Sequence, residues 1–532
     1  MKNFEKILKF SEAEHVLNLY KPLTAYGRKN KNKNRIFDDI NELNTYLNLI
    51  EKTMKFTQNS NEGIVEKICF HLSRIPEIDK FDKLNSAEIM LVKKFLVNYK
   101  EISRLTTPLK KIFNLNFDSV SLLKYLELSG KKTETFYISE KYDGKLKELR
   151  KNIRNIEYKI SKYKTEFLSK IKKNHNIDFF MKDFVLLPNK KALQIANRNE
   201  FFVEYFDKFN MIVRPRYQEK YYKLYSQKEE FIADETMLEN RVLENISNHI
   251  KDEKIKIKEY MKSIETFDTV LAKALLAIKL NLKKPVFKKN INKIKINQGI
   301  FLPLKERLDE KKNSYTPLEA EFSKNVCVIR GSNMGGKTVV LKTVSFFQLL
   351  SQMGFFIPAQ YFETEIFHNF FFLGEYDGEN EYDRGLSSFG KEICAVSEAL
   401  KYSDKKTFYI IDEFARTTNS IEAKALTAGL MKKLTKQKNV FCIISTHLMK
   451  LPKVNNIKFY RMKGLNVEKY GNSIHTHIKQ NIDESIKIIN SHMDYIVLKD
   501  NGKSEIYDAV MVAKLLGADF ELLEYAESMM KK

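Results

Sequence analysis

The sequence lacks the features that mark disulfide-linked and membrane-spanning proteins. Its 532 residues include only four cysteines, Cys69, Cys327, Cys394 and Cys442. They lie far apart and form no C-x-x-C pair, so neither a disulfide framework nor a zinc site is expected. No apolar run approaches the roughly 18 residues that span a bilayer, and the first residues lack the apolar stretch of a signal peptide. We therefore expect a cytoplasmic protein with no membrane partner.

Proline and glycine are scarce, and both are absent from residues 216–284. Apolar residues recur there at helical spacing, which predicts one very long helix or two helices end to end. If residues 229–282 formed a single helix, it would be about 80 Å long.

A heptad pattern precedes this segment. Apolar residues alternate in steps of three and four at Leu146, Leu149, Ile153, Ile156, Ile160, Tyr163 and Phe167. The pattern predicts a helix that pairs along an apolar seam. We expect the two helical segments to form an antiparallel arm at about residues 141–284, with residues 179–211 at its tip. An ordinary helical bundle is the alternative.

The net charge is +24, and it is unevenly distributed. Residues 1–285 hold 56 Lys and Arg against 39 Asp and Glu, whereas residues 286–532 hold 36 against 29. The excess is concentrated in residues 131–200, with 18 basic and 9 acidic side chains. Such a surplus can neutralise phosphates, so it predicts a polyanion partner such as DNA. The alternative is a compositional bias, because Lys, Asn and Ile are abundant throughout the chain.

The pattern changes near Pro285. Short apolar runs then alternate with glycine turns and amphipathic segments, which is typical of a parallel sheet flanked by helices. The sequence therefore predicts a mixed fold of two domains, a long-helix region at residues 1–285 and an α/β domain at residues 286–532.

A phosphate-binding motif lies in the second domain. Gly331, Ser332, Asn333, Met334, Gly335, Gly336, Lys337 and Thr338 satisfy G-x-x-x-x-G-K-[ST] between an apolar strand and a helix. The glycines let backbone N–H groups surround a phosphate, and Lys337 supplies charge to the outer phosphates. The Thr338 hydroxyl can ligate Mg²⁺.

Two further apolar runs end in polar residues. Residues 408–411 lead into Asp412 and Glu413, which predicts that Asp412 orients the magnesium shell and Glu413 polarises the attacking water. A simple strand cap is the alternative. Residues 440–444 lead into His447, whose imidazole could sense the γ-phosphate.

These residues, in this order, resemble the MutS family of ATPases. The similarity extends to Pro358-Ala359-Gln360, to Arg416, to residues 385–389 with Glu392, and to a small-residue helix at residues 507–517. The resemblance implies a helical lever and clamp region followed by a P-loop ATPase domain of the ABC type, using ATP and Mg²⁺. It also implies that Ser387 reaches the nucleotide of the opposite subunit and that Tyr315 stacks on adenine.

The resemblance reaches the first half of the chain. Residues 267–274 are similar to the family's connection between lever and ATPase, and residues 24–27 and 42–51 to the start of its lever domain. We expect no mismatch-reading, connector or nuclease domain. Ala415 and Thr417 stand where the family usually has glycine, and Leu386 replaces an arginine, which leaves the turnover rate open.

Two functions remain open from the sequence. The first is a MutS-like ATPase, a homodimer or a heterodimer with a related MutS-like subunit, whose arms close on DNA. The second follows from similarity to the ATPase subunit of the reactivase for cobalamin-dependent lysine 5,6-aminomutase, in which the arms would grip that protein client.

Overall fold

The computed structural model describes most of the chain in two compact units. The described residues are 2–33, 35–130, 135–179, 181–332, 335–374, 388–401, 404–448, 451–465, 493–500, 510, 512–513 and 518–530. One unit, here called the sheet unit, comprises residues 1–69, 108–114 and 264–532. The other, here called the helical unit, comprises residues 70–107 and 115–263. Among the described residues, no helix is long and apolar enough to cross a bilayer.

Helices dominate the first 280 residues, and strands are interspersed with helices after them. In the described residues the helices are α1 (Lys2–Phe10), α2 (Glu14–Leu19), α3 (Ala25–Asn32), α4 (Ile40–Asn59), α5 (Glu62–Ser73), α6 (Ser86–Leu105), α7 (Lys110–Phe113), α8 (Val120–Leu126), α9 (Gly144–His175), α10 (Asn189–Ile195), α11 (Glu219–Asp252), α12 (Lys254–Lys279), α13 (Leu302–Glu310), α14 (Lys337–Gln352), α15 (Ser388–Ala399), α16 (Ser420–Thr435) and α17 (Phe520–Met530). The strands are β1 (Val185–Pro188), β2 (Phe201–Tyr205), β3 (Asn210–Pro215), β4 (Val286–Phe287), β5 (Lys293–Gly299), β6 (Leu318–Ser323), β7 (Val326–Arg330), β8 (Tyr361–Thr364), β9 (Asn369–Leu373), β10 (Thr407–Asp412), β11 (Val440–Thr446), β12 (Ile457–Leu465) and β13 (Met493–Lys499). The mixed fold class expected from the sequence is confirmed.

Helices α9 and α11 form an antiparallel pair in the helical unit. Arg150, early in α9, donates to Glu235 and Glu239 of α11, each at 2.6 Å. Later in α9, Glu157 pairs with Lys228 at 2.8 Å. The order of the partners reverses along α11, so the two helices run in opposite directions. Glu253 separates α11 from α12, so this segment forms two helices and not the single long helix that the sequence also allowed.

A small sheet connects the two paired helices. Its three strands are antiparallel in the order β1-β3-β2. Helix α10 supplies Ala192 and Ile195 to a compact apolar core that also includes Phe167 and Ile171 of α9 and Phe201 of β2. This packing gives the connection its own core, and the use of the helix pair as an arm stays a prediction.

The sheet unit contains a six-stranded sheet in the order β13-β12-β7-β11-β10-β9. Strands β12 to β9 are parallel, and β13 runs antiparallel to β12. Strands β7 and β11 are buried along their whole length, because apolar cores cover both faces of the sheet. Near-continuous apolar strands are the pattern of a sheet covered on both sides. A second sheet of four strands has the order β4-β8-β5-β6.

The N-terminal helices belong to the core of the sheet unit. Phe10 of α1 stacks on Phe372 of β9 with ring centroids 4.0 Å apart, and Glu12 pairs with Lys342 of α14 at 2.6 Å. Phe10 and Glu12 lie on the N-terminal side of the boundary predicted at residue 285, whereas their partners lie on its C-terminal side. The apolar faces of α1 and α2 pack against the sheet, because helices this short cannot bury those faces by themselves. The lever and clamp assignment of residues 1–285 stays a prediction.

Candidate nucleotide-binding site

The phosphate motif lies where β7 ends and α14 begins. Gly336 has a φ of +85°, and a Cβ built there would lie 2.9 Å from Cδ1 of Tyr495. Both the left-handed backbone and the lack of space therefore require glycine at this position. Helix α14 starts at Lys337, so its unpaired N–H groups and the positive end of its dipole are at the motif. Asn333 and Met334 lie outside the described residues.

The Lys337 side chain folds back over the loop. Its Nζ donates to the carbonyl oxygens of Gly331 and Ser332, both at 2.9 Å, and lies 3.3 Å from Oε1 of Glu413. Burial lowers the pKa of Lys337, while the Glu413 carboxylate opposes that shift. The predicted phosphate-binding and catalytic side chains are thus brought into direct contact.

The predicted metal-binding residues also meet. The Thr338 hydroxyl donates to Oδ2 of Asp412 at 2.8 Å, and the Ser445 hydroxyl donates to Oδ1. Asp412 and Ser445 are register partners on the parallel strands β10 and β11. Hydroxyl and carboxylate oxygens are the ligands that Mg²⁺ prefers, usually together with substrate phosphates. The pair of Thr338 and Asp412 therefore fits the predicted magnesium site.

Glu413 occupies an unusual backbone conformation immediately after β10. Its φ is +59°, and its N–H donates to the carbonyl oxygen of Ser445 at 3.2 Å. A left-handed conformation at a residue other than glycine costs about 1–3 kcal/mol and occurs at functional sites when surrounding contacts hold it. Here it directs the carboxylate between Lys337 and His447, whose Nδ1 lies 3.6 Å from Oε1. Lys337 and His447, two of the residues predicted to be catalytic, therefore converge on the carboxylate of the third, Glu413.

Ala415 shows why the resemblance expects glycine near this point. Its φ is also +59°, a conformation that glycine adopts without steric cost. The backbone N–H of Ala415 donates to Oε2 of Glu392 at 3.0 Å. Glu392 of α15 therefore anchors the loop that follows Glu413, a positioning role that the sequence alone did not assign.

The structure locates the remaining predicted residues as follows. Tyr315 lies between α13 and β6, where its hydroxyl oxygen accepts from the N–H of Phe301 at 2.7 Å and its ring packs against the core. Its contact with adenine stays a prediction. Ser387, Gly385, Leu386 and the residues 507–509 and 514–517 of the predicted C-terminal helix lie outside the described residues.

The neighbours of the phosphate loop include Met462 and the ion pair of Arg330 with Asp500, which were not predicted from the sequence. Met462 of β12 lies 3.1 Å from a Cβ built on Gly331. Arg330, the residue before the loop, is buried and donates through Nε to Asp500 at 2.8 Å. No local motif could have found these neighbours, because Met462 and Asp500 are more than a hundred residues away in sequence from the loop and reach it through the pairing of β12 with β7 and β13.

Comparison with known proteins agrees with this site. Residues 327–528, which include the motif from Lys337 to His447, match the family model for MutS domain V. Over these residues the chain has the ATPase domain of the MutS family. The match confirms the resemblance expected from the sequence and identifies the sheet unit as the location of a MutS-type P-loop ATPase domain.

Individual relatives extend the MutS similarity over different lengths. The chain is 27% identical to endonuclease MutS2 of Caldicellulosiruptor bescii over 385 residues, which are 68% of the chain and 46% of that protein. It is 32% identical to endonuclease MutS2 of Caldicellulosiruptor saccharolyticus over 212 residues, 39% of the chain and 25% of that protein. It is 27% identical to the DNA mismatch repair protein MutS of Staphylococcus haemolyticus over 217 residues, 40% of the chain and 24% of that protein. The chain thus aligns with less than half the length of each, and these three relatives give no support to the aminomutase alternative.

Proposed function

We propose that this MutS-family chain is a dimeric ATPase of the ABC type that binds ATP and Mg²⁺ and hydrolyses ATP to move helical arms on DNA. The observation that carries the ATPase proposal is the Glu413 carboxylate 3.3 Å from the Lys337 ammonium at the phosphate loop. A charged lysine and a carboxylate base at the carboxyl ends of parallel strands of one sheet are the parts that nucleotide hydrolysis requires.

Each residue of the site has a distinct task in this proposal. The loop N–H groups and Lys337 hold the outer phosphates, and Glu413 accepts a hydrogen bond from the attacking water and orients it. His447 lies within reach of the same carboxylate and can report whether the γ-phosphate is present. Thr338 and Asp412 would hold Mg²⁺, which neutralises the charge that develops on the phosphate oxygens.

Charge on the helix pair supports DNA as the partner. Helix α9 contains 11 Lys and Arg residues but only three Glu residues, whereas α11 contains five basic and eight acidic residues. The α9 residues Lys159, Lys162 and Lys164 are exposed. Exposed cations on one helix can neutralise phosphates of a duplex and release counterions.

ATP hydrolysis and its metal dependence test the first half of the proposal. Purified chain should hydrolyse ATP in the presence of Mg²⁺. Chelation by EDTA should abolish hydrolysis, because Thr338 and Asp412 carry no positive charge with which to neutralise the phosphates. Duplex DNA at low salt should change the rate. Hydrolysis that persists in EDTA would contradict the proposed magnesium site.

Sedimentation with and without ATP tests the dimer. The resemblance assigns Ser387 to the nucleotide of the opposite subunit, so ATP should strengthen association of two chains. The Glu413→Gln variant, expected to retain ATP, is the best form for this measurement. A monomer with and without ATP, both alone and mixed with a related MutS-like subunit, would refute the shared site.

A further inference from the structure

A second site lies in the sheet unit, away from the phosphate loop. A cavity of about 170 Å³ opens between the N-terminal helices, α12 and the end of α14. Its walls combine aromatic rings with three cations, and the residues that matter are Tyr20, Tyr46, Phe355, Lys31, Arg35 and Lys273. Aromatic walls with a few convergent polar groups are typical of small-molecule sites.

Lys273 of α12 is the central polar group of this cavity. The residue as a whole is only 8% exposed, and its Nζ lies 4.3 Å from the ring centre of Phe355 and 4.7 Å from that of Tyr46. One N–H donates to the carbonyl oxygen of Met353 at 2.7 Å. An ammonium has three N–H donors, so Lys273 retains capacity to bind a further acceptor in the cavity.

The charges of the cavity are not balanced by its own residues. Its lining contains Lys31, Arg35 and Lys273 but no Asp or Glu. Arg35 pairs with Glu42, which lies outside the lining, and Lys31 donates to the carbonyl oxygen of Tyr20 at 2.7 Å. The nearby carboxylate of Asp268 instead accepts from the backbone of Leu23 and from Thr24.

Burial and a nearby positive charge both lower the pKa of the Lys273 amine. Burial lowers the pKa of Lys273 to about 7, and the positive charge of Arg35 adds to the shift. The other titratable groups at the cavity are Lys31 and the phenols of Tyr20 and Tyr46, and burial raises the pKa of both phenols. None of these three supplies a negative charge near neutral pH, so an anion that enters is the partner that Lys273 lacks.

We propose that this cavity binds a small organic carboxylate with a ring-sized apolar part. The carboxylate would accept hydrogen bonds from Lys273 and Lys31, and the apolar part would pack on the rings of Tyr46 and Phe355. The size agrees, because a cavity of about 150 Å³ accommodates a benzene molecule. The anion favours the charged form of Lys273, so binding takes up a proton when the solution is above neutral pH.

Isothermal titration calorimetry with benzoate tests the proposal on the whole chain without nucleotide. Titrations at about pH 8 in two buffers of different ionisation enthalpy should give binding with uptake of up to about one proton. Lys273→Met should weaken binding at least about tenfold and remove the proton uptake, since the charged hydrogen-bond donor is lost. Lys31→Met should weaken binding less and keep the uptake. Lys279→Met, on the same helix but exposed, is the matched control and should bind as the wild type does.

Two other probes distinguish the carboxylate from simpler occupants. Benzyl alcohol, which has the ring without the charge, and inorganic phosphate, which has the charge without the ring, should both bind at least about tenfold more weakly than benzoate. The phosphate titration uses the Lys337→Ala variant, so that the phosphate loop does not contribute. Equal binding of either probe, or benzoate binding that Lys273→Met leaves unchanged in a chain with normal thermal unfolding, would overturn the proposal.

Discussion

Buried and exposed lysines act in two different ways in this protein. In the sheet unit, Lys337 is buried at the start of α14. Lys273, on α12, is buried beside the other end of α14. Each of the two contacts a small number of defined atoms. In the helical unit, Lys159, Lys162 and Lys164 are exposed on α9. A buried lysine is expensive to charge but makes strong, specific contacts, whereas an exposed lysine is screened and contributes mainly through the sum of many like charges.

The comparison of buried with exposed lysines shows which structural features can support a specific binding site. Lys337 has a carboxylate partner in Glu413 at the proposed phosphate site, while the cavity of Lys273 has cations but no carboxylate in its lining. The α9 lysines have no comparable geometry around them, so only their number and placement indicate a polyanion. Four predictions test this comparison, beginning with the largest expected effect.

Substitution at the phosphate site should have the largest effect. Glu413→Gln should retain ATP binding but lower turnover by about 10²-fold or more, because a positioned base that orients water is lost. Lys337→Ala should instead weaken ATP binding itself. Steady-state hydrolysis and nucleotide titration measure the two effects, and Glu310→Gln, on the exposed end of α13, is the control. An unchanged turnover rate in Glu413→Gln would eliminate its catalytic assignment.

Removal of three exposed lysines should change the salt dependence of DNA binding. If Lys159, Lys162 and Lys164 each contact a phosphate, their replacement by alanine should reduce the slope of log K against log salt by about 2.7, at about 0.9 for each contact. Sequence preference should not change, because phosphate contacts do not distinguish bases. Binding of duplexes at several salt concentrations measures the slope.

A matched triple variant separates a DNA-binding face from compositional bias. Lys279, Lys289 and Lys312 are also exposed but belong to the sheet unit. Their replacement by alanine removes the same net charge and should leave the slope unchanged. Equal reductions in both triple variants would show that the positive charge acts without a defined face.

The buried lysine at the other end of α14 should make stability depend on pH. Below about pH 7, Lys273 is charged in both the folded and the unfolded chain, so the full cost of burying the charge is present. Between about 7 and the unfolded pKa of 10.5, the unfolded chain binds more protons, and wild-type stability therefore rises with pH by at most about 1.4 kcal/mol per pH unit from this group.

Lys273→Met should remove this contribution. The variant should be more stable than the wild type at about pH 6, and its advantage should shrink by about pH 9. Urea unfolding at the two pH values measures the difference, and Lys279→Met is the control for the general effect of losing a lysine. An advantage of the same size at both pH values would mean that Lys273 is not titrating near neutrality.

The smallest effect is expected for the ion pairs that join α9 and α11. Arg150→Met should destabilise the helical unit by about 1 kcal/mol, because Arg150 is partly buried and bonds to both Glu235 and Glu239. Arg214→Met should change stability by less than about 0.5 kcal/mol, since its contact with Glu204 is long, at 3.8 Å, and half exposed. Urea unfolding followed by circular dichroism compares the two variants. Equal losses would indicate that burial does not strengthen the Arg150 pairs.

Much of the site was predictable because its parts are local in sequence. The buried strands β7, β10 and β11 and the residues at their carboxyl ends are read from short apolar runs followed by polar residues. Parallel strands place those ends at one edge of a sheet, so Lys337, Asp412, Glu413 and His447 were expected to meet. The left-handed φ values of Glu413 and Ala415 were not predictable from residue type, because neither residue is glycine.

The sequence by itself determined the phosphate motif, the carboxylates that follow β10, the MutS resemblance and the pairing pattern of α9, since each depends on neighbouring residues or on a regular period. Only the tertiary structure decided that α1 packs on β9, that Asp500 pairs with Arg330 beside the phosphate loop, and that Lys273 lines a cavity without a carboxylate. The physical reason is that these contacts join residues more than a hundred positions apart or from several elements. Their energies depend on burial and on which charges are brought together, and no local period or motif encodes either one.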